Sequence, residues 1–328
     1  MFFNNPSLIL ENANRRVSKL TDEIQLRHPN LLAQHPVEKY IFFLDKLPAV
    51  RAYHCISYEI KQFCNNILSK NGLLGLSLYH KLLLATLIGR SIKKMKSMGG
   101  LTRDIASLTY QNFTLILNLM DKQPPEFYQH SNDKFNKDLS VSMLGLLPMG
   151  AQKIVVNGVS RKSLLNAGGT SGAKILSYIL TEVGSFKPLY EMHTDHHDSF
   201  SLREFTAEGW DRCYLRVASM LESHQDIKGV YGISWFFDPQ LEQVSPRLNF
   251  LRERPLNNGG KIFYVSQDKS GVGGALASSI HRRRLFETGE YIPNNYLMIW
   301  PRKHLISWAN TMKKDAGLLK HEHGESLL

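Results

Sequence analysis

Lys261-Ile-Phe-Tyr-Val-Ser-Gln-Asp-Lys-Ser-Gly-Val-Gly-Gly-Ala-Leu276 begins as a β-branched and aromatic run, turns through a loop carrying Gly271, Gly273 and Gly274, and continues in small residues. The pattern predicts a strand over 261–266, a short loop, and a helix from Gly271 to about Glu287. Glycines let a backbone come close to a ligand, and the free amides of a helix N-terminus attract a phosphate. The chemistry of this segment suits a pyrophosphate.

The same alternation extends on both sides. Upstream, 153–159, 188–192 and 230–237 read as strands, and 173–183 and 201–224 as helices; downstream, 296–300 reads as a strand and 303–314 as a closing helix. Each such element has an apolar face that needs a partner, so the chain should build a layered domain with helices packed on a sheet. Before it, Pro36 to about Met120 shows apolar side chains at three- and four-residue spacing, broken by Asn71-Gly72 and Gly99-Gly100 and stopped by Pro124-Pro125. The expected organisation is a helical region over 1–125, a polar linker over 126–150, an α/β domain over 151–316 and a flexible tail over 317–328. The fold class is α/β in the broad sense (α+β): a helical N-terminal region, then a mixed sheet with helices on both faces.

Charge narrows the partners. With 40 Lys plus Arg against 29 Asp plus Glu, the net charge of +11 favours anions: nucleic acid, a phosphorylated cofactor, an acidic carrier protein or a membrane surface. Cys55, Cys64 and Cys213 have no paired spacing, which fits a reducing compartment and argues against a disulfide framework or a four-thiolate zinc site; their plain reading is as small buried hydrophobes. The N-terminus lacks a secretory pattern, since Asn4, Asn5, Glu11 and Asn12 interrupt it, and a cytoplasmic location is expected. The most apolar stretch, 73–88, is shorter than the ~20 residues of a membrane helix. Arg90, Lys93, Lys94 and Lys96 at its end suit peripheral contact with anionic lipid or a carrier, or simply a solvated helix end.

The 261–276 segment resembles the acyl-coenzyme A binding segment of the GNAT superfamily of N-acyltransferases, in which a strand is followed by Arg or Gln, two residues, Gly, one residue, Gly or Ala, and a helix. In this chain the frame gives Asp268-Lys-Ser-Gly271-Val-Gly273, with an acidic residue where the superfamily has Arg or Gln. The order of elements over 153–314 extends the resemblance to a GNAT-like domain. It implies acyl-CoA or an acyl carrier protein as donor and a small amine as acceptor. Val265 and Ser266 would face the pantetheine arm, and the amides of Gly271, Val272, Gly273, Gly274 and Ala275 the pyrophosphate. Arg283, in the basic run His281-Arg282-Arg283-Arg284, would face a phosphate or an acidic carrier. It also implies a pair of neighbouring parallel strands that splay apart with the binding helix between them, expected at 261–266 and 296–300. Amine attack needs a base and an acid; Glu191 and Tyr296 stand on suitable strands, and Asp238, at the end of an aromatic strand, could contact the amine.

The densest titratable cluster is Glu191-Met-His193-Thr-Asp195-His-His-Asp198. Alternation puts Glu191, His193 and Asp195 on one face, a basis for proton transfer or substrate binding. His193-Thr-Asp195 also resembles the His-x-Asp element of the 2-oxoglutarate dioxygenases, with His281 or His304 as the distal ligand of a non-heme iron; against it, a long helix follows rather than a run of strands. The transferase reading expects no metal. A third reading is a non-catalytic basic module for nucleic acid or an acidic protein, but no aromatic stripe interleaves the basic residues, so nucleic acid is not expected. Gly172-Ala173-Lys174 fails as a P-loop, no Gly-x-Ser-x-Gly elbow occurs, and Arg302 after Trp300-Pro301 is either an anion ligand or a surface residue.

Overall fold

The computed structural model describes residues 5–195, 198–269, 274–277 and 279–315. Gly271, Val272 and Gly273 of the expected phosphate loop, and the expected flexible tail, lie outside the described residues. The chain divides into two compact units: Met1–Val156 with Asp195–Ser199, and Asn157–Thr194 with Phe200–Leu328.

The first unit is mainly helical: α1 (Pro6–Arg27), α2 (Leu31–Gln34), α3 (Val37–Asp45), α4 (Tyr58–Met95), α5 (Arg103–Leu119) and α6 (Asp133–Ser142), followed by β1 (Leu147–Pro148) and β2 (Lys153–Asn157), which pair antiparallel. Side-chain caps fix where the helices begin. Ser57 accepts from Ile60 N, Thr102 from Ile105 N and Asn132 from Phe135 N. Asn71-Gly72 breaks the helix as expected: Gly72 is non-helical, with φ 67° and ψ −176°, a conformation that favours glycine, so α4 is two helical segments that meet at a kink. Helix α4 is long and apolar enough to cross a membrane, but 67% of its most apolar window is buried, as in the core helix of a folded unit.

The polar stretch read as a linker is instead largely helix α6, most of it buried. Its charges are tolerated because they are paired. Lys134 binds Asp138 and also lies 3.3 Å from Asp195, and Lys137 lies 2.8 Å from Asp133. Lys153, at the start of β2, reaches Asp195 at 2.7 Å and Asp198 at 3.2 Å. Composition alone reads such residues as surface; only their mutual pairing allows them inside.

Beyond β2 come α7 (Arg161–Asn166), α8 (Gly169–Tyr178), β3 (Leu189–His193), α9 (Ser199–Arg203), α10 (Ala207–Ser223), β4 (Gly229–Ser234), α11 (Leu241–Val244), α12 (Phe250–Asn257), β5 (Lys261–Gln267), α13 (Gly274–Ala277), α14 (Ile280–Glu287), β6 (Asn294–Pro301) and α15 (Arg302–Asp315). Strands β3 to β6 lie in the order β3-β4-β6-β5. β3 is parallel to β4; β4 and β5 are each antiparallel to β6, with an irregularity between Tyr264 and Ser266. The sheet is mixed, as expected, and helices cover both faces. On one, Tyr231, Leu297, Ile299 and Val265 pack with Ile175 of α8 and with Ile179 and Val183 of the π-turn that follows it. On the other, Trp300 meets Tyr214 of α10 at 5.1 Å and Trp308 of α15 at 5.3 Å between ring centroids.

The expected splayed parallel pair is not β5 with β6, which are antiparallel. The helix foreseen from Gly271 to Glu287 is broken, because Ser279 caps a new helix by accepting from Arg282 N. A helix of 8 residues spans only ~12 Å, against ~23 Å for a strand of 7, so α14 cannot carry the chain back along the sheet. The parallel pair is β3 and β4, whose crossover contains α10, a helix of 17 residues. Thr206 caps α10 by accepting from Gly209 N at 3.1 Å, and Arg302 closes its far end by donating to Leu221 O and His224 O.

Candidate functional site

The pairing of β3 with β4 is short. Tyr190 stands opposite Val230 and Glu191 opposite Tyr231; β3 continues to His193 and β4 to Ser234, and Met192 still lies alongside Gly232, where a Cβ would stand 3.7 Å from that of Met192. The carboxyl ends of parallel strands are the usual position of a ligand in an open α/β sheet.

Alternation along β3 places Glu191 and His193 on one face, and the structure brings them together, with Oε2 of Glu191 3.3 Å from Nε2 of His193. Asn157 donates from Nδ2 to the same Glu191 oxygen at 2.7 Å. Tyr231, the cross-strand neighbour of Glu191, donates its hydroxyl to Gly158 O at 2.8 Å. Both acid and imidazole are about one-fifth exposed, so they can reach a ligand while sitting in a partly desolvated place. Burial alone raises the Glu191 carboxyl, but its contacts with His193, Asn157 and Tyr231 outweigh burial and hold it below the ordinary glutamate value. Burial, and then the charge of Glu191, push the Tyr231 phenol well up, so it stays protonated. The cluster is an ionised carboxylate that orients an imidazole, beside a neutral phenol. A carboxylate held low is a poor base at neutral pH, whereas a histidine oriented by one is a good proton acceptor.

Other expected site residues are placed differently. Asp195 is fully buried and bound to Lys153 and Lys134. Burial raises its carboxyl, but the two ammonium groups overcome this and hold it well below the usual range. A divalent iron placed there would meet both lysine charges, so His193 and Asp195 do not make the iron-binding pair. His281 is exposed, and His304 lies 3.7 Å from Glu182. Asp238 is fully buried, with one oxygen accepting from Gln240 N at 3.0 Å and the other from Asn294 N at 2.9 Å, so it braces a turn rather than meeting an amine. Tyr296 is opposite Ser234 and packs on Tyr264 at 5.7 Å. It sits two strands and three residues from Glu191, on the order of 14 Å away by strand spacing. Burial and then Asp238 raise its phenol.

Val265 belongs to the core, and Ser266 is half-buried at the strand irregularity. Gly274 is exposed at the start of a single helical turn, and Ala275 is buried, its carbonyl accepting from Arg282 Nε at 2.7 Å. Arg283 is exposed, whereas its neighbour Arg282 is 2% exposed, donates to Ser245 Oγ at 2.8 Å and lies 4.6 Å over the Trp235 ring. Arg282 therefore pins α13 and α14 together. Sequence reading missed Asn157 and Tyr231, because both reach Glu191 from other strands and nothing short of the register announces it.

No family model matches the chain, and no curated protein matches it. Among solved structures, it is similar to an acyltransferase in complex with decanoyl-CoA and teicoplanin (13% identity, TM-score 0.46, covering 88% of this chain and 85% of that one). It is also similar to an acyltransferase in complex with CoA and 10C-teicoplanin (12% identity, TM-score 0.47, covering 87% and 85%). Likeness at that level falls short of a shared fold, and the class of this protein, a mixed α/β protein, rests on its own strands and helices.

Proposed function

We propose that the chain is an acyl-CoA-dependent N-acyltransferase of GNAT-like topology whose working edge is the carboxyl ends of β3 and β4. The observation that carries the reading is the parallel pair β3 and β4, joined by a crossover through α10, with the Glu191–His193 dyad at the end of β3. The resemblance drawn from the 261–276 segment asks for a parallel pair with the binding helix; β3-α10-β4 offers a parallel pair joined through a helix one crossover earlier. The pantetheine arm lies at the carboxyl end of β3, beside Met192 and His193. His193, oriented by Glu191, takes a proton from the attacking amine. Nitrogen adds to the thioester carbonyl, the carbon–sulfur bond breaks, and the thiolate of coenzyme A leaves with a proton. The donor is acyl-CoA and the acceptor a small amine.

The test is calorimetric binding of coenzyme A, followed by thiol release from an acyl-CoA panel with amine acceptors. His193→Ala is expected to lower kcat by about 10²- to 10⁴-fold, the usual weight of a positioned base, with coenzyme A binding retained. Absence of coenzyme A binding, or transfer that survives His193→Ala, would overturn the assignment.

A further inference from the structure

The first unit holds a cluster the transfer reaction does not use. Cys64 and His80 both belong to α4, on either side of its kink, and His130 lies in the turn before α6. A thiol sulfur and one nitrogen from each ring all lie within 4.8 Å of one another, the one grouping of this kind among the described residues. Cys64 Sγ is 3.6 Å from His80 Nε2. A tetrahedral zinc with bonds of about 2.3 Å to sulfur and 2.0–2.1 Å to nitrogen sets those two atoms about 3.6 Å apart, so this edge of the shell is already formed.

The rings are also held as ligands are held. His80 Nδ1 lies 2.8 Å from the Tyr128 carbonyl, which can only accept, so the proton is on Nδ1 and the lone pair on Nε2. His130 Nδ1 lies 2.9 Å from Asn136 Oδ1, and Asn136 gives its own Nδ2 hydrogen to His130 O at 2.9 Å; that orients the amide as acceptor and again puts the lone pair on Nε2. Imidazoles fixed through the far nitrogen by a carbonyl or amide oxygen are the usual outer support of a metal site. Tyr40 OH donates to His130 Nε2 at 2.6 Å and accepts from Cys64 Sγ at 3.7 Å, so an ion bound by the three side chains replaces these two hydrogen bonds. A cavity of about 270 Å³, lined also by Lys61, Asn65 and Gln129, opens on the three side chains and gives an ion a way in.

We propose that Cys64, His80 and His130 bind one zinc-class divalent ion through a thiolate and two Nε2 atoms, with the fourth position turned to the cavity. Binding forms the sulfur–metal bond and releases the thiol proton to solvent. The proposal is independent of the transfer reaction, and its test reads no activity. The chelator-stripped full-length chain is titrated with Co2+ and then Zn2+. One equivalent of cobalt is expected per chain, with tetrahedral ligand-field bands and thiolate-to-cobalt charge transfer, both removed by zinc. Cys64→Ser should abolish the charge-transfer band, and Asn136→Ala should weaken uptake by about tenfold or more through the loosened ring. If Cys64→Ser does not fold, the Cys55→Ser/Cys213→Ser chain leaves Cys64 as the sole thiol and must keep the band. His193→Ala separates this site from the histidine-rich 193–197 stretch and should leave uptake unchanged. A band absent from the native chain, retained in Cys64→Ser or lost in the double variant would overturn the assignment, as would uptake that disappears with His193→Ala.

Discussion

Replacing Lys153 by Met removes a charge of known surroundings and keeps most of the side-chain volume. The lysine is 2% exposed, 2.7 Å from Asp195 and 3.2 Å from Asp198. At an effective dielectric near 20 the two attractions amount to roughly 6 and 5 kcal/mol, most of it offset by the cost of drying three charges. The variant keeps both carboxylates buried, and breaking a buried pair costs about 3–5 kcal/mol. Lys134, 3.3 Å from Asp195, still neutralises part of that charge. The variant also has an escape: one carboxyl takes up a proton. From an unfolded value near 3.9 this costs about 4 kcal/mol at pH 7 and about 1.5 at pH 5, which caps the loss. In the native chain, the depressed Asp195 contributes stability that is present above the unfolded carboxyl value and lost as pH falls through the folded one. In the variant, a carboxyl raised above its unfolded value opposes folding as pH rises. The difference between the two therefore grows with pH: about 3–4 kcal/mol at pH 7 and under about 2 at pH 5. Urea unfolding followed by far-UV ellipticity measures it. All four tryptophans, Trp210, Trp235, Trp300 and Trp308, lie beyond residue 156, so fluorescence reads the second unit alone. A loss below about 1 kcal/mol at pH 7, or one independent of pH, would refute the reasoning.

Gly209→Ala places a methyl 2.0 Å from the Glu204 carbonyl oxygen, a backbone atom that cannot turn aside, and should cost about 1–3 kcal/mol, read as an earlier tryptophan transition. Glu191, held below its ordinary range, adds stability above the unfolded carboxyl value that is lost as pH falls through the folded one. Glu191→Gln should accordingly flatten the acid limb of that transition, and should lower kcat less than His193→Ala does.

The architecture was legible because it is written in local pattern. The runs at 153–159, 188–192, 230–237, 261–266 and 296–300 and the apolar periods between them are statements about neighbours in sequence, and each run holds a strand, although the helix read over 271–287 is broken. What failed was what depends on partners distant in sequence. The 133–142 segment reads as a linker by composition, yet Lys134 and Asp138 are inside because each meets an opposite charge. Asp238 looks like a free carboxylate at a strand end, yet two backbone amides and the Asn294 side chain claim it. Arg302 looks like an anion ligand, yet it satisfies the last carbonyls of α10.

The shift of the candidate ligand edge from 261–276 to β3-α10-β4 has the same origin. Gly271 and Gly273 announced a tight strand-to-helix turn, and tight turns are chemically attractive whether or not the strands beside them are parallel. A crossover long enough to bring the chain back in the same direction is the stricter requirement, because only strands running the same way present their carboxyl ends at one edge. In this chain a 17-residue helix meets it between β3 and β4, and the dyad of Glu191 and His193 stands on the strand that leads to that edge. Motif and candidate site therefore fall on different strands, and the direction of the strands, more than the glycines, decides where the chemistry is sought.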